Sequence, residues 1–112
     1  LKTNNINGLK FISNVLDAVD SKDFPSIIDS YKEENDPSII LLIGAYNGKV
    51  SVAVGVTDSL TYKISAVDLV KCAVTALGGK GGGGRPGMAQ GGAKDIKNSE
   101  KAIELVKDMI GD

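Results

Sequence analysis

The chain has no histidine and no tryptophan, and its 112 residues hold one cysteine, three prolines and two phenylalanines with three tyrosines. Each shortage excludes something. Without histidine the commonest general base and metal ligand is missing. A lone Cys72 can close neither an internal disulfide nor a cysteine cage for zinc, and a reducing compartment is compatible with it. With no base beside it, Cys72 reads as a structural thiol on a helix rather than a nucleophile. Aromatic residues at 4% leave little material for a surface built on base stacking. No apolar run approaches the roughly 20 residues that span a bilayer, and the N-terminus lacks the basic head and apolar block of a signal peptide. Asp17, Asp20, Asp23, Asp29, Asp36 and Asp58 fall on different turns, not in a pair with metal or acid–base spacing. Lys80 is followed by Gly81 rather than by Ser or Thr, so the glycine tract around it is no Walker loop.

What is present is an aliphatic chain, 42% hydrophobic, of a length that suits one domain with a modest core. Leu1 is no initiator methionine, as expected of a piece of a longer protein. The net charge of −1 hides a pattern: residues 1–58 sum to −3, residues 59–98 to +4 and residues 99–112 to −2. The basic middle centres on Gly78–Gly92, GGKGGGGRPGMAQGG, which holds nine of the fourteen glycines. Ordering such a run costs on the order of 1–2 kcal/mol per residue in backbone entropy, so a folded version needs hydrogen bonds or a partner in return. Exposed amides on successive turns, with Lys80 and Arg85 among them, point to a phosphate or a nucleic-acid backbone.

Along the chain, Leu1–Asn7 is polar and reads as a frayed lead-in or the stub of a preceding domain, with the domain proper over residues 8–112. Leu9–Leu16, apolar on both phases, reads as a strand covered on at least one face. Asp20 or Ser21 can cap a helix over Asp23–Glu34, where Phe24, Ile27, Ile28 and Tyr31 form the apolar face and Asp29, Lys32 and Glu33 face water. The run Ile39–Ile43 is too short for a helix and rich in β-branched residues, so it reads as a buried strand. Asn47-Gly48 predicts a hairpin into Val50–Val56, with the valines on one face and Ser51, Ala53 and Gly55 on the other, thin enough for a helix to lie close. Ser65–Leu77 reads as a second helix ending at Gly78-Gly79, and Ser99 as the cap of a third over Glu100–Ile110. The expected fold is a small α/β (α+β) domain: three or more strands, three helices and a large glycine loop before the last helix. Whether Gly91–Ile96 adds a strand stays open.

The residues Arg85, Pro86, Met88, Ala89, Gln90, Gly91 and Gly92 carry a resemblance to the glycine-rich motif in the C-terminal globular domain of alanyl-tRNA synthetases. Gly48-Lys49-Val50-Ser51, Val54-Gly55-Val56-Thr57 and Asp68-Leu69-Val70 resemble that family's hairpin and the helix entering the loop. Gly87 stands where the family commonly has Asp, Gly91 where it often has Ala, and the tract before Arg85 is one glycine longer than the commonest version. The resemblance spans about residues 6–110 and implies the DHH-associated fold, also found behind DHH phosphoesterases.

It further implies a module that grips the outer corner of tRNA(Ala) and coordinates aminoacylation with editing of mischarged Ser- or Gly-tRNA, in a cytoplasmic enzyme. Catalysis, ATP, magnesium and zinc would belong to other domains of the parent chain, and this fragment would need no cofactor. The expected RNA contacts are Lys80, Gly82, Gly83, Gly84, Arg85 and Gln90, with Lys63 and Lys71 bordering the loop. The partners would be tRNA(Ala) and the rest of the synthetase chain, with no membrane. Two other readings remain: the substrate-binding lobe of a DHH phosphoesterase, and a dimerisation domain whose glycine tract packs against a second copy.

Overall fold

Strand β3 (Ser38–Tyr46) holds the run Ile39–Ile43, and all five of these side chains are fully buried. Burying a large aliphatic side chain is worth about 1.5–3 kcal/mol, so such a strand is stable only with helices on both sides. The computed structural model, which describes residues 1–111, has that arrangement. Around β3 lie β1 (Lys2–Ile6), β2 (Leu9–Asp17), β4 (Lys49–Val56), β5 (Gly83–Arg85) and β6 (Met88–Ala93), in the order β1-β2-β3-β4-β6-β5. Only β2 and β3 are parallel, joined across helix α1 (Phe24–Glu34). Every other neighbouring pair is antiparallel.

The period of two in the strands divides the core. Phe11, Ile39, Leu41, Ile43, Val52, Val54 and Val56 face helices α2 (Ala66–Ala76) and α3 (Ser99–Gly111), where Leu69, Ala73, Val106 and Ile110 meet them. Ile12, Ile40, Leu42 and Ala53 face α1 through Phe24 and Ile28. The thin face of β4 does what its composition implied. A Cβ at Gly55 would collide with Cγ2 of Ile28, so only glycine lets α1 settle this low on the sheet.

Several expectations are corrected. Lys2–Ile6 is no frayed lead-in: it pairs in register with Leu9–Ser13 as an edge strand, through a tight turn at Asn7 and Gly8, which both take positive φ. The sheet has six strands, within the expected three or more, and the open question at Gly91–Ile96 is answered by Met88–Ala93, which pairs with Val50–Gly55. Half of the presumed glycine loop is thus a hairpin, β5–β6, turning at Pro86-Gly87. Ser99 does not cap α3: its hydroxyl donates to the Ile96 carbonyl at 2.6 Å, and Asp95 accepts from the Lys97 amide to cap the preceding 3₁₀ turn, Ile96–Asn98. Asp20 caps the 3₁₀ turn Ser21–Asp23 that leads into α1 rather than α1 itself, accepting from the Lys22 amide at 3.1 Å, and Ser65 caps α2 through the Val67 amide at 3.2 Å.

Replacing Gly55 by Val should lower the unfolding free energy by about 1–3 kcal/mol, the usual cost of overpacking a core. Urea denaturation followed by circular dichroism measures it, and an unchanged midpoint would show that α1 does not rest on this glycine.

Candidate nucleic-acid interface

The motif Arg85–Gly92 forms the β5–β6 hairpin at one end of the sheet, and two helices hold it there. The Ala66 amide at the start of α2 donates to the Pro86 carbonyl at 2.9 Å. From the other layer Lys32 of α1 donates through Nζ to the Gly87 carbonyl at 2.8 Å. The Val56 amide donates to the same carbonyl at 3.0 Å. The turn is therefore pinned from above, below and the side before any ligand arrives.

Lys32 was expected in water beside Asp29 and Glu33 and lies half-buried instead. Burial is the main reason its pKa falls below the ordinary lysine value; Asp29 and Asp58 pull it back up, and Arg85 pushes it further down. No sequence signal marked it, because its partner is a main-chain oxygen 55 residues away.

Paired strand residues share a face, so Arg85 and Met88 lie side by side, as do Gly83 and Gln90, and these four point to the α1 side of the sheet. Arg85 is exposed, and among the described residues no carboxylate pairs with it. Gln90 is half-buried next to Gly83. The other expected contacts lie elsewhere. Lys71 borders an outer groove between α2 and α3 with Cys72, Thr75, Leu105 and Met109, on the opposite side of the sheet. Lys63 follows the 3₁₀ turn Asp58–Leu60, its Nζ 6.0 Å from the centre of the Tyr62 ring. Lys80 is exposed in the loop between α2 and β5, beyond the end of the hairpin remote from Arg85.

Gly82 and Gly84 serve the fold itself. Gly84 has φ +148° and runs against Ala89 and the Met88 carbonyl, while Gly82 has φ +106° with Val70 of α2 close beside it. The expected concave string of free amides is replaced by a strand whose glycines let it lie tightly between β6 and α2. Cys72 is partly buried, and burial raises its thiol pKa, as suits the structural thiol expected there. Among the described residues no group of three or more acids or cysteines is close enough to hold a metal ion.

A family profile described as the DHHA1 domain matches residues 8–112. The chain belongs to that family. As a DHHA1 domain it is similar to the alanine–tRNA ligase of Ruegeria pomeroyi, at 48% identity over 98% of its length, and to that of Dinoroseobacter shibae, at 52% over 93%. In each case it spans 12% of the length of the relative. The crystal structure of the C-Ala domain from Aquifex aeolicus alanyl-tRNA synthetase superposes with a TM-score of 0.92 over the whole of both chains, at 22% identity. At that identity the likeness concerns the fold. The resemblance to the synthetase's C-terminal domain read from Arg85–Gly92 is borne out, as is the mixed α/β fold.

Lys32→Met should cost about 1 kcal/mol of stability through the lost bond to Gly87. Because folding lowers the Lys32 pKa, the folded state disfavours its proton, and that penalty is present in full below the lowered value and gone above the ordinary one. Relative to Lys32→Met, the unsubstituted protein should therefore gain stability as pH rises from neutral towards the ordinary lysine pKa of about 10.5. Parallel denaturation series at several pH values read this difference, and a constant or shrinking gap would contradict it.

Proposed function

We propose that this DHHA1 domain is the tRNA-binding C-terminal module of an alanine–tRNA ligase, taking tRNA(Ala) at its outer corner. The observation that carries the reading is near-half identity to alanine–tRNA ligases over almost the whole chain, joined to an arginine that no carboxylate pairs among the described residues, in a motif pinned by two helices. Arg85 presents a planar fork of donors suited to two phosphate oxygens, and shape rather than sequence is the natural basis for holding folded RNA. Lys80 adds charge from the adjoining loop. Lys63 and Lys71 lie farther off, and in this reading they add long-range attraction rather than direct contact.

In the same proposal the rest of the synthetase chain is the domain's covalent partner. It would supply alanine activation and transfer with ATP and magnesium, and removal of mischarged Ser or Gly with zinc. The domain's share is to hold one tRNA while its end is charged and checked in the cytoplasm. No helix among the described residues is long and apolar enough to cross a membrane. The identity to ligases favours this reading over the lobe of a DHH phosphoesterase.

Arg85→Ala and Lys80→Ala should each weaken binding of a tRNA(Ala) transcript and reduce the magnitude of the salt slope by roughly 1, with unfolding midpoints unchanged. Binding titrations at several salt concentrations, on samples whose oligomeric state is also measured, provide the test. Wild-type affinity and slope in both variants would remove the electrostatic grip, and a two-copy assembly without tRNA affinity would favour the dimerisation reading.

A further inference from the structure

Strand β2 is longer than the neighbour on its open side. β1 pairs with Leu9–Ser13 only, so Asn14–Asp17 meet β3 on one side and no described strand on the other. Val15 stands in that unpaired stretch with 43% of its surface exposed, although its partner on β3, Ile43, is fully buried. Beside it lies a hollow of about 180 Å³ between β2 and the start of α3, lined by Leu1, Lys2, Ser13, Val15, Glu100 and Ile103. Ser13 is 2% exposed, and among the described residues its hydroxyl has no hydrogen-bond partner. Buried hydroxyls are nearly always paired, and sheet edges are usually paired, covered or blunted by charge. An unmatched hydroxyl and an uncovered apolar edge thus occur at one place. The ion pair between Lys2 and Glu100, at 3.6 Å, marks its rim.

We propose that this hollow seats the chain segment immediately preceding Leu1 in the parent synthetase, with an apolar side chain over Val15 and Ile103 and a polar group bonded to Ser13. The proposal rests on reading the domain as the C-terminal module of a longer ligase, and it spans 12% of the length of the relatives compared. In that reading the preceding chain enters at Leu1, which is itself on the wall of the hollow. A segment tethered there has an effective concentration on the order of millimolar, which a free second copy of the domain does not match. The chemistry agrees. The rim charges are matched within their own ion pair, so the hollow suits a neutral segment with one polar group rather than an ion or a nucleic acid. Its place in the sheet gives the seat a purpose: β1 and β2 form one edge and the β6–β5 hairpin with Arg85 the other. The domain is then anchored to its parent at one edge and leaves the motif at the opposite edge free.

The test uses the full synthetase chain that carries this domain, with Val15→Cys and, as a reference, Tyr62→Cys at a side chain that is 82% exposed. Modification by N-ethylmaleimide is followed on the peptide bearing each introduced thiol, so Cys72 and thiols elsewhere in the chain do not interfere. A seated segment makes the thiol at position 15 react at least tenfold more slowly than that at position 62, and any smaller difference overturns the proposal. Adding Ser13→Ala to Val15→Cys should speed the reaction at position 15 about fivefold, the worth of one hydrogen bond in the seat. An unchanged rate there removes Ser13 from the seat. Protection that disappears on dilution, as the chain passes from two copies to one, overturns the proposal in favour of a second copy. All rates are taken without RNA, and affinity for a tRNA(Ala) transcript is measured separately on the same samples. Slow labelling without tRNA affinity keeps the seat and removes the RNA-binding reading; fast labelling with intact affinity removes the seat alone.

Discussion

Everything in this domain depends on covering both faces of β3. Five consecutive fully buried aliphatic side chains cannot be hidden by one layer, so the chain must send helices to opposite sides of one sheet. The glycine at position 55 then decides how deep α1 lies, and depth decides what α1 can reach. Only a helix this close brings the Lys32 ammonium to the carbonyl of Gly87, at the turn of a hairpin far along the sequence. Core packing and the shape of the hairpin end are therefore one problem, solved by one small residue.

Legibility in the sequence followed the range of the interaction responsible. Local signals read true: the Asn47-Gly48 turn, the alternation of Val50 to Val56 and the helical spacing of Ala66 to Leu77. Signals that depended on a distant partner were hidden. Lys2–Ile6 is polar because an edge strand needs few apolar residues, so its pairing with β2 left almost no periodic trace. Met88–Ala93 is strand because β4 offers it an edge, not because Gln-Gly-Gly favours extension. Ser99 had the right chemistry for a cap and was drawn instead to the Ile96 carbonyl by the preceding 3₁₀ turn.

The candidate site divides in the same way. The motif named Arg85, Gly83 and Gln90 as candidate contacts, and strand pairing puts all three on one face, an arrangement the sequence did not show. Position in the chain grouped Lys80, inside the glycine tract, and Lys63 and Lys71, bordering it, with them, and folding separates those lysines among the connecting loop, the approach to α2 and its outer groove. A basic block in sequence became several weak sources of charge around one free arginine. Glycine behaved likewise: a single tract turned out to hold residues required by the backbone beside residues that the backbone can spare.

The pairing of β6 with β4 encloses more than thirty residues, among them the whole of α2, before the hairpin can take its place. That is a loop closed at entropic cost, and the turn it positions is held through its carbonyls by the Lys32 ammonium and the Val56 and Ala66 amides. A peptide copied from residues 78–92 would carry the whole motif and none of this restraint. What the domain offers a ligand is thus conformational, present only in the completed fold, and it vanishes on unfolding even though every motif residue is still there.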